Sequence, residues 1–170
     1  MKRIFFTFFC ALIFAYSGFA QQPCKEYSVP KSILTFCPPT NFTGVPTPGD
    51  MHLTFAEAGL RSSTAIVIVE APSPLDAEAT AYFTIREILA DPKQTNKRLV
   101  EAIDFKTTAG VTGTKLVFYM DEGLKRVRQA WYIFQGPKGL VLQIAAVSEN
   151  AAASIDGVID ASQKTVKIKK

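Results

Sequence analysis

The 170-residue chain has one histidine, one tryptophan and three cysteines, and these scarcities argue against several chemistries at once. His52 has no second imidazole and no cysteine pair at ligand spacing, so the common zinc and copper sites have no ligand set. A lone histidine in an alternating stretch reads as an ordinary strand residue. No C-x-x-C spacing occurs, which leaves no redox centre of that kind. Neither G-x-x-x-x-G-K-[ST] nor G-x-G-x-x-G is present, and Gly110-Val111-Thr112-Gly113 is two glycines flanking a turn rather than a phosphate cradle. A G-x-S-x-G elbow is missing too, and the carboxylates of Asp121-Glu122 sit at a turn, where solvation accounts for them. No catalytic residue, cofactor or metal ligand is assigned, and the chain is not expected to be an enzyme.

Excess charge is also small. There are 19 Lys and Arg against 15 Asp and Glu, and the surplus gathers at the two ends. Residues 1–20, MKRIFFTFFCALIFAYSGFA, open on Lys2 and Arg3, continue in an apolar run and finish on small residues at Gly18 and Ala20. That layout predicts a secretory signal peptide cleaved near Ala20, with an uncleaved anchor as the alternative. Residues 21–170 then form one domain, periplasmic or secreted, with a proper core. Without Lys2 and Arg3 the 19 basic residues become 17 against 15 acidic ones, and four of these are Lys164, Lys167, Lys169 and Lys170. A nucleic-acid surface does not follow from such a balance. The lysine tail offers a peripheral contact with an anionic membrane; the plainer alternative is a solvated, frayed end.

Cys10 leaves with the signal, so Cys24 and Cys37 remain as a pair in an oxidising compartment. With Pro30 and Lys31 at the centre of a turn, Tyr27 faces Leu34 and Cys24 falls opposite Cys37, which predicts a disulfide stapling the N-terminal arm. The competing possibility is that Cys37 is a buried strand residue and Cys24 lies in a loose leader.

Periodicity supplies the remaining elements. PPTNFTGVPTPGD after Cys37 reads as a connecting loop, with a glycosylation sequon at Asn41 that matters only in a glycosylating host. His52 to Glu57 alternates, and Ser63 to Glu70 is β-branched, so both are expected strands. Ser73 as cap and Pro74 in the first turn start a helix that Asp91-Pro92 stops, with Leu75, Ala79, Tyr82, Phe83, Ile85, Ile88 and Leu89 as its core face. Lys93 to Val100 reads as a loop or short helix, and Ile103 to Thr107 as a candidate strand. Thr114 to Met120, Lys125 to Phe134 and Leu140 to Val147 follow as an antiparallel meander, since their connections are too short for parallel crossovers. The first hairpin places Arg126 opposite Tyr119 or, with a glycine bulge, Phe118. Ser148 is expected to cap a final helix carrying Ala151, Ala152, Ile155, Val158 and Ile159.

Arg126 and Arg128 share a strand face with Ala130, Tyr132 and Phe134. Guanidinium groups beside aromatic rings can form a partner-binding patch, so Arg126, Arg128 and Tyr132 are the candidate contact residues. The alternative is that the arginines end the strand in water, paired with Glu122 or Asp121.

The stretches LTFCPPTNF, HLTFAE and STAIVIVE, the long helix, the G-x-x-G-T-K-L-V-F-Y hairpin and GLVLQIAAVS before a last helix resemble the PsbP family and its bacterial relatives, including DcrB-like periplasmic proteins. The resemblance spans about Ser32 to Ile168 and is carried by Phe36, Pro38 and Phe42 and by Ala145 to Ser148. It implies an α+β fold, a central antiparallel β-sheet flanked by helices in a PsbP-like αβα sandwich. It also implies a non-enzymatic accessory or assembly module that docks on a larger protein. Photosystem members of the family stabilise the oxygen-evolving complex, while a nuclear-import member of the same fold binds a small GTPase, so the fold alone does not fix the partner. No family metal residue falls on a matching position, and the Cys24 and Cys37 pair is not part of the general pattern. Two other functions stay open: a carrier of a lipid or other small ligand, and a hydrolase without a recognisable motif.

Overall fold

Alternating side chains give one sheet two apolar faces, and each face gathers its own cover. The computed structural model describes residues 24–30, 32–40, 42–45, 53–57, 64–149 and 156–169; His52, Asn41, Lys31, Lys170 and the predicted signal peptide lie outside them. In chain order the elements are β1 (Tyr27–Ser28), β2 (Leu34–Phe36), β3 (Phe42–Val45), β4 (Leu53–Glu57), β5 (Thr64–Pro72), α1 (Ala77–Ala90), β6 (Thr95–Lys106), β7 (Thr112–Glu122), β8 (Lys125–Gln135), β9 (Leu140–Glu149), α2 (Asp156–Gln163) and β10 (Lys167–Ile168). Seven strands pair antiparallel in the order β3-β4-β5-β9-β8-β7-β6, and β1, β2 and β10 form a small second sheet. The fold is α+β, a central antiparallel sheet with helices on its two sides, as expected.

On one face Ile66, Ile68, Val117, Ala130, Tyr132, Phe134 and Ile144 pack with Val29, Leu34 and Phe36 from the small sheet and with Ile159 of α2. The other face presents Leu116, Phe118, Met120, Val127, Ile133 and Val141 to α1. The period-two reading of β8, with Ala130, Tyr132 and Phe134 on one face and Val127 and Ile133 on the other, agrees with this division.

Several local expectations need correction. Pro30 does sit in a turn, closed by Ser32 N–H donating to Val29 O at 3.2 Å. The strands, however, pair two residues further on, with Tyr27 facing Phe36 and Ser28 facing Thr35. Ser32 Oγ accepts Leu34 N–H at 2.9 Å and so draws Ser32 and Ile33 into the loop. A shift of two keeps every side chain on its expected face. Cys24 and Cys37 are bridged across this arm with Cα atoms 5.7 Å apart, although that register sets Glu26, not Cys24, opposite Cys37.

Phe42–Val45, expected to be loop, forms an edge strand against β4. Its Pro- and Gly-rich flanks masked a four-residue strand whose Phe42 is buried. Thr95–Lys106 is likewise a strand over its whole length; lying at the sheet edge and mostly exposed, it carries no regular apolar alternation to betray it. The helix begins three residues later than Ser73 suggests. Asp76 is the cap, its carboxylate accepting Ala79 N–H at 2.8 Å, while Ser73 Oγ accepts Leu75 N–H in the approach to it. Starting there turns Ala77, Ala81, Ile85 and Ile88 toward the sheet and leaves Tyr82 64% exposed, with Phe83 and Leu89 also outward.

The β7–β8 turn consists of Gly123 and Leu124, with glycine first at φ 62°, the position a type II′ hairpin reserves for it. Tyr119 consequently faces Arg128 and Asp121 faces Arg126, a shift of two from the pairing expected for a two-residue turn and of three from the bulged alternative. Ser148 is a β9 residue opposite Arg128 rather than a helix cap, and of the expected final helix the described part is Asp156–Gln163.

Candidate functional site

The sheet end formed by β6, β7 and β8 carries Arg98, Arg126 and Arg128. Alternation along β8 sends Arg126 and Arg128 to the same face as Tyr132, but the three do not form one surface. Tyr132 is 1% exposed, with its ring 5.0 Å from that of Phe105 and its hydroxyl donating to Asp160. It is a core residue, which removes it as a partner contact.

Arg126 is 57% exposed and Nε lies 2.9 Å from Asp121 Oδ1, so this arginine is paired as the plainer alternative held. Asn96 Nδ2 donates to the other oxygen of Asp121 at 2.7 Å. The Arg126 guanidinium, and then the Asn96 amide, hold the Asp121 carboxyl below its usual range. Arg128 is 6% exposed and lies over the Tyr119 ring, 5.4 Å from the centroid.

Sequence reasoning missed Arg98. Register shifts between Thr95 and Arg98, and again between Leu99 and Glu101, bend β6 and set Arg98 beside Tyr119. Its guanidinium lies 5.2 Å from the same ring centroid. Because Tyr119 sits between its β6 and β8 neighbours, the result is a row Arg98, Tyr119, Arg128 across three adjacent strands. The one available signal was K-R in a segment without helical periodicity; nothing in it named Tyr119 as the partner.

Two other surface features stand apart from this row. Tyr82, Ile85, Arg86 and Leu89 line an open depression of about 430 Å³ on α1, where Arg86 lies 5.8 Å from the Phe83 centroid. A second depression of about 620 Å³ at the start of α1 is bordered by Asp76, Glu78, Asp104, Lys106 and Gln135, and Gln135 Oε1 there accepts Ala77 N–H. Among the described residues no three His, Cys, Asp or Glu side chains come together as a metal site.

Of the C-terminal lysines, Lys167 and Lys169 are held in place rather than frayed, and Lys170 lies outside the described residues. Lys167 lies in β10 and pairs with Glu26 at 2.7 Å, Lys169 N–H donates to Ile33 O, and Lys164 is exposed just after α2.

This architecture is similar to that of solved structures. The fold is that of PsbP and Mog1. Cyanobacterial PsbP from Synechocystis is 14% identical, with a TM-score of 0.59 over 89% of this chain and 96% of that one. The Saccharomyces cerevisiae Ran-binding protein Mog1p is 9% identical, with a TM-score of 0.59 over 85% of this chain and 95% of its own. A Bacteroides thetaiotaomicron protein matches at 10% identity and a TM-score of 0.52 over 86% of this chain, which spans 49% of that longer protein. No protein-family profile and no curated protein sequence matches the chain. Identities this low speak to the fold alone.

Proposed function

We propose that the chain is an exported, non-catalytic accessory module of PsbP-like fold that acts by docking on another protein. The observation that carries this reading is the Arg98, Tyr119, Arg128 row, whose outer member is exposed on an edge strand. Arginine and tyrosine together are the residue types over-represented where protein surfaces bind one another. The architecture it shares with a protein described as Ran-binding supports such a use. Export accords with the signal-like residues 1–20 and with the Cys24–Cys37 bridge, which persists in oxidising compartments.

Cross-linked capture with the tagged chain in its native envelope fraction, identifying proteins and lipids together, tests the reading. One dominant protein cross-linked through the β6–β8 end supports it. Recovery of a lipid or metabolite without protein overturns it in favour of a carrier.

A further inference from the structure

We propose that the surface around Arg98, Tyr119 and Arg126 recognises an acidic segment of the partner protein, an inference that rests on the docking reading above. The arrangement favours carboxylates for three reasons.

Arg98 is exposed on the edge strand and stacks on Tyr119. The planar N–H fork of a guanidinium matches a carboxylate with two parallel hydrogen bonds. Among the described residues no carboxylate lies within ion-pair reach of it.

The local charge balance is one-sided. On the face that carries the row, Arg98, Arg126 and Arg128 stand against Asp121. Asp121 is already held between Arg126 and Asn96, so the field that an approaching segment meets is positive.

Edge position supplies access. Among the described residues no strand lies beyond β6, so an extended segment can reach Arg98 without displacing one of them. A membrane surface fits less well. Asp121 is interleaved with the arginines, and a lipid leaflet is met best by a broad lysine-rich face without acidic residues.

The test titrates the purified protein with a fluorescein-labelled oligoglutamate peptide at low salt, with oligolysine and phosphatidylglycerol vesicles as the competing probes. Wild type is expected to bind oligoglutamate and to release it as salt rises. Arg98→Ala should weaken binding about tenfold, Arg98→Glu should abolish it, and Arg98→Lys should restore only part, because the charge returns without the fork. Lys138→Glu, a charge reversal at the opposite end of β8, should leave it unchanged. Thermal melting of each variant checks that folding is intact, and Arg126→Glu provides an independent second site.

Equal binding by wild type and Arg98→Glu would overturn the inference, as would preference for the vesicles over the peptide. If both proteins captured the same partner from the envelope equally well, the acidic specificity would fall while docking stood. If neither captured a protein, docking itself would fall, and this inference with it.

Discussion

Asp160 on α2 reaches across to Lys115 on β7, with Oδ2 2.9 Å from Nζ. Its other oxygen accepts the Tyr132 hydroxyl, and Glu101 approaches the same Nζ at 3.2 Å. Lys115 is buried, so this one carboxylate ties a helix to the sheet through two partners. Asp160→Ala should cost about 3 kcal/mol, because it deprives a buried ammonium and a buried phenol of their shared acceptor. Lys115→Met should cost less, about 1 to 2 kcal/mol, because the carboxylates it leaves on Asp160 and Glu101 are about a third exposed and stay hydrated. Urea unfolding of both variants checks the asymmetry; equal losses would mean the pair acts as a simple surface bridge.

The same contact sets an alkaline limit. Burial pulls the Lys115 pKa down, but the hydrogen bond and charge of Asp160, joined by Glu101, outweigh it and raise the value above the ordinary 10.5. A raised lysine contributes stability that is fully present below its unfolded pKa and lost as pH rises through the folded one. The urea midpoint of wild type should therefore fall above about pH 10.5, and fall less in Lys115→Met. Parallel curves for the two proteins would assign alkaline unfolding to other groups.

The Cys24–Cys37 bridge is held on the backbone side as well. Thr165 Oγ1 accepts Cys37 N–H at 2.7 Å, and Ser162 Oγ donates to Cys37 O at 2.6 Å. The staple thus fastens the N-terminal arm to the turn between α2 and β10. Reduction should cost about 3 kcal/mol by the chain-entropy argument, equivalent to roughly 10 °C in Tm. Thermal melts with and without reductant measure it, while thiol titration of the denatured, unreduced protein should leave this pair unreactive.

How much of this was legible in the sequence depends on burial. Strands β7, β8 and β9 pack on both faces, and alternation along β8 separated its two sets of side chains, although which set meets α1 and which the small sheet came only with the fold. The edge strands carried no such imprint: Thr95–Lys106 is largely exposed, and Phe42 to Val45 lies among turn residues. The N-terminal hairpin and the two-residue-turn reading of the β7–β8 hairpin were each off by two, an error that alternation cannot detect because it leaves every face unchanged. Arg126 and Arg128 were found because they share one strand. Arg98 was not, because its meeting with Tyr119 depends on irregular pairing between strands that propensity does not encode.

Gly113 shows how tightly the sheet constrains one position. A Cβ there would lie 2.3 Å from Ile133 O and 2.7 Å from Phe134 Cδ1, a clash with the backbone of β8 rather than with a pliant side-chain tip. Gly113 sits between Phe105 and Phe134 in the register, and those rings approach to 6.1 Å, so the missing side chain leaves room for the aromatic contact. Gly113→Ala should destabilise by about 2 to 3 kcal/mol through forced backbone movement. Gly44→Ala in β3 is the matched comparison, because nothing lies within 4 Å of its Cβ position. Relief of unfolded-state entropy there should leave stability unchanged or raise it by about 0.5 kcal/mol. Urea midpoints for the two variants separate the effects: similar losses would point to intrinsic strand propensity, whereas a loss confined to Gly113→Ala would locate the constraint in the approach of β8.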